Sequence, residues 1–296
     1  MFSVVIPTYN RAHTLAKALD SVLQQSLPAD EIIVVDDGSI DNTASLIVQA
    51  YPQVRYCHQS NRGVSAARNR GIKMARQPWI ALLDSDDRWQ ADKLAQQARV
   101  IESNPDCVLS HCDEIWIRNG TRVNPMNKHK KMGGDIFEHC LPLCCVSPSA
   151  AVIRRDVLLQ LGLFDESLPA CEDYDLWLRL CARYAVHFIE QALIYKYGGH
   201  DDQLSRKHWG MDRFRIRALL KLLQSGVLNA NQTEATKRMF EHKWRILHSG
   251  ACKHQNKSLI QDLQEWQRQF EYFSHQRSGP HSRSLEKPRD SQGKPT

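Results

Sequence analysis

The chain has no long hydrophobic run, and this absence excludes one class of protein. No stretch of its 296 residues approaches the roughly 18 apolar residues of a transmembrane helix. Residues 1–11 contain a short apolar run without the basic residues that precede it in a secretory leader, so no signal peptide is expected. We therefore expect a cytoplasmic protein, either in solution or peripheral at the inner face of a membrane.

Cys-x-x-Cys pairs are also absent, although the chain has nine cysteines. Their spacing argues against a zinc site. An odd number of cysteines without a leader is typical of reduced thiols in the cytosol. We find no internal repeat, and the hydrophobic content of 42% and charged content of 24% are close to those of a folded globular protein.

Acidic residues are in slight deficit, with 33 Asp and Glu against 39 Lys and Arg and a net charge of +6. Such an excess of positive charge is compatible with binding to nucleic acid, an anionic membrane or a phosphorylated substrate. The net charge alone does not distinguish among these partners. Part of the excess lies in 274–296, whose Ser, Pro, Gly and charged residues predict a disordered basic tail. Nucleic acid is not expected as a partner, because no recognised binding motif accompanies this tail and the candidate site is acidic.

Short β-branched apolar segments alternate with amphipathic helical patterns over 1–105. This order predicts an α/β fold with a mostly parallel central sheet and helices on both faces. From about 106 the alternation of strand and helix patterns ends, and we expect antiparallel strands and longer loops. Strands near 186–189 and 192–197 are expected to complete this part.

The C-terminal part is predicted to be helical over 207–225 and 233–273. The segment 207–224 is basic and amphipathic. Such a helix can lie on an anionic membrane, or it can pack on its own domain with its charges in water.

The strongest local motif is Asp84-Ser85-Asp86-Asp87, which follows a buried apolar strand. Ligands of open α/β sheets bind at the carboxyl ends of the strands. Asp84 and Asp86 are two positions apart on an extended chain and point the same way. Their hard oxygens suit Mg²⁺ or Mn²⁺ shared with substrate phosphates, whereas the alternative is an acidic cap of the following helix.

Two further segments lie near predicted strand ends. Asp37, within Asp36-Asp37-Gly38-Ser39, either accepts a hydrogen bond from a base or ribose or belongs to a capped turn. The segment Asn61–Gly71 combines small residues with arginines at a helix start. It suits either a bound phosphate or a helix packed closely on the sheet with a solvated basic face.

The acids of Glu172-Asp173-Tyr174-Asp175 begin a predicted helix, where the helix dipole alone favours carboxylates. A general base is the functional alternative, and the spacing does not decide among Glu172, Asp173 and Asp175. His200 follows a glycine pair at the end of the last predicted strand, where a histidine beside a metal and phosphate is plausible.

Five segments occurring in order between about residues 2 and 205 together resemble the family 2 glycosyltransferases of the GT-A fold. The resemblance implies a GT-A domain over 1–205, with a nucleotide-binding half at about 1–105 and an acceptor half at about 106–205. A helical extension over 206–273 follows. The segments that carry the resemblance are Val4–Arg11, Glu31–Ser39, Asn61–Gly71, Leu82–Asp87, and Gly162–Asp165 followed by Glu172–Arg179.

The resemblance also implies roles for individual residues. Asp173 takes the proton of the acceptor hydroxyl as the catalytic base, and Asp86 and His200 bind the divalent metal, Mn²⁺ or Mg²⁺. The remaining matched positions contact the nucleotide-sugar: Pro7, Thr8, Tyr9, Asp37, Gly63, Asp84 and Ser85.

The implied activity is inverting transfer of a sugar from a UDP- or dTDP-linked donor to a hydroxyl of a glycan or lipid-linked acceptor, in cell-surface polysaccharide synthesis. The main alternative is a non-catalytic protein that binds nucleotide-sugar or carbohydrate and retains the fold. Such a protein is expected to lose Asp86 or Asp173, and both are present. A nucleotidyltransferase is disfavoured, because no glycine-rich basic loop follows the first strand.

Overall fold

A computed structural model describes residues 1–124, 126–199 and 208–276. The first part of the chain alternates strands and helices, as the sequence predicts. Its elements are β1 (Phe2–Thr8), α1 (Ala12–Leu23), β2 (Glu31–Asp36), α2 (Thr43–Ala50), β3 (Arg55–His58), α3 (Val64–Met74), β4 (Trp79–Leu82), a short β5 (Arg88–Trp89) and α4 (Lys93–Ser103).

The rest of the described chain is more irregular and ends in helices. A 3₁₀ turn at Pro148–Ala150 precedes the eighth strand. The elements are β6 (Leu109–Arg118), β7 (Thr121–Val123), α5 (Phe137–Cys140), β8 (Val152–Arg154), α6 (Arg155–Gln160), α7 (Glu172–Cys181), β9 (His187–Gly198), α8 (Asp212–Gln224), α9 (Ala230–Lys253) and α10 (Lys257–Gln276).

All of the described strands belong to one sheet of order β3-β2-β1-β4-β8-β6-β9-β5, with β7 paired to β6. The four strands β3, β2, β1 and β4 are parallel, which confirms the α/β expectation for the first part. Beyond β4 the sheet is mixed, because β8 runs antiparallel to both β4 and β6. The carboxyl ends of β1, β2 and β4 therefore meet at one edge.

The strands of the second part differ from the sequence expectation in two ways. The strands predicted near 186–189 and 192–197 form the single strand β9, whose pairing with β6 shifts register around Asp113. β6 pairs antiparallel with β7 and β8, as expected, but its pairing with β9 is parallel. Parallel neighbours need a long crossover connection, and the chain between these strands supplies one that includes α7.

Alternate residues of the parallel strands face two separate cores. Val4 and Ile6 of β1 pack with α1, α2 and α4 on one face of the sheet. Val5 packs with α3, α7 and the C-terminal helices on the other face. Successive side chains of a strand point to opposite faces of the sheet, and both faces are covered here. The strands are therefore apolar throughout. The approach of α3 is close, since a Cβ on Gly71 would lie 2.4 Å from Cγ1 of Val5.

The C-terminal helix predicted over 233–273 is two helices, α9 and α10. The break coincides with Gln255, whose φ of +49° belongs to the left-handed region. Asn256 then accepts from the Leu259 amide at 3.1 Å and starts α10. Of the predicted disordered tail, 277–296 lie outside the described residues. The division into domains at about 205 stays a prediction.

The helix of the basic amphipathic segment begins at Asp212. The apolar residues of this helix are buried, whereas Trp209, which precedes it, is 58% exposed. α8 packs against α7, α9 and α10. The alternative that this helix packs on its own domain is therefore the one observed. None of the described helices is long and apolar enough to cross a membrane.

Candidate active site

The end of β1 and the turn after β2 are joined by hydrogen bonds at the edge where the parallel strands end. The Asp37 amide donates to the Thr8 carbonyl at 2.8 Å, and the Asn10 amide donates to Ser39 Oγ at 2.8 Å. Pro7 and Thr8 are buried, whereas the ring of Tyr9 is 48% exposed at this edge. An exposed aromatic ring beside backbone polar groups offers a face on which a planar ligand can stack.

Asp37 holds the loop that precedes α3. Its carboxylate accepts from Gln59 Nε2 at 2.7 Å, from the Arg62 amide at 2.9 Å and from the Gly63 amide at 2.7 Å. Gly38 allows this close approach, because its φ is +88° and a Cβ there would lie 2.9 Å from the Asn61 amide nitrogen. A carboxylate has about four acceptor positions, so one remains for a ligand. The predicted contact of Asp37 with a nucleobase stays a prediction.

The guanidinium of Arg68 on α3 joins the acidic end of β4 to the start of α7. Arg68 pairs with Asp84 at 2.6 Å and with Glu172 at 2.7 Å. The Arg68 side chain is 4% exposed and that of Glu172 is 6% exposed, so this ion pair is buried. The two acidic motifs, far apart in sequence, therefore lie at one site. The arginines of the segment Asn61–Gly71 were expected to face phosphate or solvent. Arg68 instead lies in a buried ion pair.

The acids at the start of α7 have different partners. Asp175 pairs with Arg179 at 2.6 Å, and Glu172 pairs with Arg68. Burial and the adjacent Asp173 raise the pKa of Glu172, and Arg68 acts in the opposite direction. Among the described residues, Asp173 alone of the acids at 172–175 makes no ion pair. Of the candidates that the sequence left open, Asp173 is therefore the one whose carboxylate is not paired with a described cation.

Two neighbouring acids of the β4–β5 turn differ in burial. Asp87 is buried, accepting from Ser149 Oγ at 2.6 Å and from the Tyr197 amide at 2.9 Å. Burial, together with Asp86 and Asp84, raises the pKa of Asp87 well above its usual value. The Asp86 side chain is 20% exposed, and its Oδ2 lies 3.8 Å from Nη1 of Arg11.

The turn fits a divalent cation that shares its coordination with a ligand. Clustered carboxylate oxygens are hard ligands, and a cation would offset the charges of Asp86 and Asp84, which act after burial to raise the pKa of Asp87. No group of three or more His, Cys, Asp or Glu in the described ranges could hold a metal ion by itself. His200, the other predicted ligand, lies outside the described residues, so metal binding by Asp86 and His200 stays a prediction. A cavity of about 400 Å³ beside Asp86 is lined in part by Lys17, Arg88 and Gly198.

A buried cluster of charges next to the site was missed by the sequence analysis. Lys196 of β9 donates to Ser147 Oγ at 2.8 Å, and Lys131 pairs with Glu114 at 2.9 Å. Although burial acts to raise the pKa of Glu114, Lys196 and Lys131 lower it to about 2. Charged residues within a strand and a basic loop are ordinarily solvated, so no local signal distinguished these lysines.

The comparison with solved structures identifies the fold first, since chains with the same architecture have the GT-A fold. Staphylococcus aureus TarS 1–349 in complex with UDP-GlcNAc has a TM-score of 0.65 at 20% identity, covering 84% of this chain and 72% of that one. The mannosyltransferase PcManGT from Pyrobaculum calidifontis, in complex with GDP-Man and Mn²⁺, has a TM-score of 0.58 at 17% identity, covering 92% and 84%. The predicted GT-A fold is confirmed.

The particular family follows from the sequence. The model of glycosyl transferase family 2 matches residues 3–162, more than half of the chain, so this chain belongs to that family. An uncharacterized glycosyltransferase of Rickettsia felis is 33% identical over 193 residues, which are 64% of this chain and 32% of that protein. The amylovoran biosynthesis glycosyltransferase AmsE of Erwinia amylovora is 27% identical over 246 residues, 77% of this chain and 89% of AmsE. The chain thus spans about a third of the first relative's length.

Proposed function

We propose that this glycosyltransferase moves a sugar, with inversion, from a UDP- or dTDP-linked donor to a hydroxyl of a glycan or lipid-linked acceptor. The observation that carries the proposal is the Arg68 bridge, which brings the Asp84-Ser85-Asp86 run and the start of α7 to one site. One site then holds two features. The first is the acidic run, which is expected to lie at the donor's diphosphate, and the second is a carboxylate that is able to act as base. Both are needed for direct displacement at a sugar carbon.

Asp173 is the proposed base. Its carboxylate is half-buried and makes no ion pair with another described residue, so it is able to accept the proton of an acceptor hydroxyl. Direct displacement with inversion uses one base on the face opposite the leaving group. A second carboxylate acting as nucleophile is unnecessary.

The donor is proposed to lie across the ends of β1, β2 and β4. Tyr9 offers an exposed ring for the nucleobase, and Thr8, Asp37 and Gly63 border the same edge. Asp84 and Ser85 adjoin the ribose in this proposal. The UDP and UDP-GlcNAc complexes of TarS support a nucleotide-sugar donor for this fold.

Asp86 is proposed to bind the divalent cation, Mn²⁺ or Mg²⁺, with His200 as a second ligand. When bound, such a cation stabilises the negative charge that develops on the leaving diphosphate. Arg11 lies at 3.8 Å from Asp86 and adds positive charge at the same place. The Mn²⁺ complex of PcManGT supports metal use within the fold.

Cell-surface polysaccharide synthesis is the proposed setting. The name of AmsE, which refers to amylovoran biosynthesis, supports it. The proposal concerns the activity of the chain as given, since the match covers only 32% of the first relative's length.

The experiment is a donor panel with the full chain. UDP-, dTDP- and GDP-sugars are offered with Mn²⁺, with Mg²⁺ or with a chelator, and release of nucleoside diphosphate is measured. We expect metal-dependent turnover of one UDP- or dTDP-sugar. Asp86→Ala is expected to lose turnover and metal-dependent donor binding, whereas Asp92→Ala, on an exposed acid that starts α4, is the matched control and is expected to lose neither.

Two outcomes contradict the proposal in different ways. Turnover that is equal with metal and with chelator would remove the assigned role of Asp86. Binding of no nucleotide-sugar under any condition would contradict the proposed donor and would favour a non-catalytic protein that binds carbohydrate.

A further inference from the structure

The segment 144–149 belongs to the part of the chain for which the family resemblance gives no role. Three of its side chains contact charged residues of the candidate site. Cys144 Sγ lies 3.3 Å from Asp173 Oδ2, Ser147 Oγ accepts from Lys196 at 2.8 Å, and Ser149 Oγ donates to Asp87 at 2.6 Å.

The Asp173 carboxylate is held at both of its oxygens. The Tyr174 amide donates to Oδ1 at 2.7 Å, and the Cys144 thiol donates to Oδ2 at 3.3 Å. The first donor belongs to the backbone of α7 and the second to a separate segment. Together they restrict rotation of the carboxylate, while each oxygen keeps a position at which it can accept another proton.

The thiol of Cys144 has two acceptors within reach, Asp173 Oδ2 and the Val146 carbonyl, each at 3.3 Å. A thiol has one hydrogen, and an ionised carboxylate is a stronger acceptor than a neutral carbonyl. The hydrogen therefore points to Asp173 while that residue is ionised. Burial, followed by the charge of Asp173, raises the pKa of the Cys144 thiol well above its usual value, so the thiol keeps its proton.

We propose that Cys144 is a positioning residue for the catalytic base Asp173, an inference that rests on the function proposed above. The thiol fixes the carboxylate in the rotation in which it receives the acceptor's proton. In that step the acceptor O–H bond and the bond from the sugar to the diphosphate break, and a bond from the acceptor oxygen to the sugar forms. The proton passes to Asp173, and the diphosphate leaves with the electron pair. The thiol hydrogen then turns to the Val146 carbonyl.

Other titratable groups also act on Asp173. Cys171 and Glu172, two positions and one position before it, interact with it electrostatically, and the half-buried Lys196 interacts with it from β9. These groups are unchanged in a variant of Cys144. A change in turnover is then attributable to the thiol contact.

The test compares Cys144→Ala, Cys144→Ser and Cys145→Ala in the full chain. Loss of the donor allows the base to rotate, and we expect Cys144→Ala to lower kcat about tenfold at unchanged donor KM. Serine supplies a hydroxyl donor to the same oxygen, so Cys144→Ser is expected to restore kcat to within about threefold of the wild type. The matched control is Cys145, whose thiol points to the His139 carbonyl at 3.1 Å and has no hydrogen bond to Asp173 within the described part of the chain. Cys145→Ala is expected to keep kcat.

A kcat of Cys144→Ala within about twofold of the wild type overturns the proposal, as does a Cys144→Ser variant no faster than Cys144→Ala. These results separate a positioning contact from general packing, because packing alone gives no rescue by a smaller polar side chain.

A second measurement does not depend on sugar transfer. The Raman S–H stretch of Cys144 is isolated as the difference between wild type and Cys144→Ser. In an Asp173→Asn background the acceptor becomes a neutral amide and the hydrogen bond weakens, so the stretch is expected to move to higher frequency. An unmoved stretch contradicts the contact even in an active enzyme. If no donor is turned over, the proposed function fails while this measurement still decides whether the thiol binds Asp173.

Discussion

The two parts of the sheet hold their acidic residues in different ways. In the parallel part, Asp36 and Asp37 accept mainly from backbone amides and neutral side chains of adjacent turns. In the mixed part and at α7, Glu114 and Glu172 pair with the buried cationic side chains of Lys131 and Arg68. The first arrangement uses uncharged donors, whereas the second depends on every charge keeping its partner.

This difference indicates where stability and function are coupled. A change to one buried charge of the mixed part leaves another charge unpaired, so activity and folding are expected to change together. A change at the strand ends of the parallel part affects ligand contacts with a smaller effect on folding. Three predictions test this contrast.

The largest effect is expected at the Arg68 bridge. Arg68→Met leaves Glu172 as an unpaired buried carboxylate, and we expect a loss of about 3–5 kcal/mol in the free energy of unfolding. Urea unfolding followed by circular dichroism measures it. The double variant Arg68→Met/Glu172→Gln is expected to lose less than the sum of the single losses.

The matched control is Arg62, which pairs with Glu166 at 2.7 Å but has a side chain 64% exposed. Arg62→Met is expected to change stability by about 0–1 kcal/mol, because exposed ion pairs contribute little. Equal losses for Arg62→Met and Arg68→Met would remove the distinction between exposed and buried ion pairs.

A smaller effect is expected where α3 meets the parallel strands. Gly71→Ala places a methyl group 2.4 Å from Cγ1 of Val5, and such overpacking costs about 1–3 kcal/mol. Gly250 of α9 has open space around its Cα, so Gly250→Ala is expected to stabilise the chain by about 0.5–1 kcal/mol. Thermal unfolding of both variants measures the two shifts, and a tolerated Gly71→Ala contradicts the close packing.

The smallest effect concerns pH and the mixed part. Burial, with Lys131 nearby, lowers the pKa of His111 from 6.5 to about 3, so folding favours the neutral ring. The unfolded chain binds this proton first as pH falls, so stability is lost from about pH 6.5 downward until pH 3. Between pH 8 and 5.5 the loss from His111 is about 1.5 kcal/mol.

His111→Gln removes this titration while keeping a donor for the Met132 carbonyl, which lies 3.0 Å from His111 Nε2. The variant is expected to show a flatter dependence of unfolding free energy on pH above 5. Glu114, with a pKa lowered to about 2, loses its contribution only below pH 4.5 and does not interfere. An identical pH dependence in wild type and variant would place the histidine in a different environment.

The parallel part could be predicted from sequence because its signals are local. Alternation of apolar strands with helices gives the sheet, and residues such as Asp37 and Asp84 directly follow strands. The pairing of Arg68 with Glu172 spans 104 residues, and no local pattern encodes it. Lys196 lies within a strand and donates to Ser147, 49 residues away in the chain, so its role depends on tertiary packing. The single strand β9 was misjudged for the same reason, since its irregular pairing is set by β6.

The central claim is that donor binding and proton acceptance reside on different carboxylates of one site. Calorimetric titration of Asp173→Asn with the active nucleotide-sugar and Mn²⁺, beside a turnover assay, tests it most directly. The account predicts a dissociation constant within about twofold of the wild type and a turnover at least about 10²-fold lower. An Asp173→Asn variant that turns over the donor at the wild-type rate, or one that is folded yet no longer binds it, would contradict the claim.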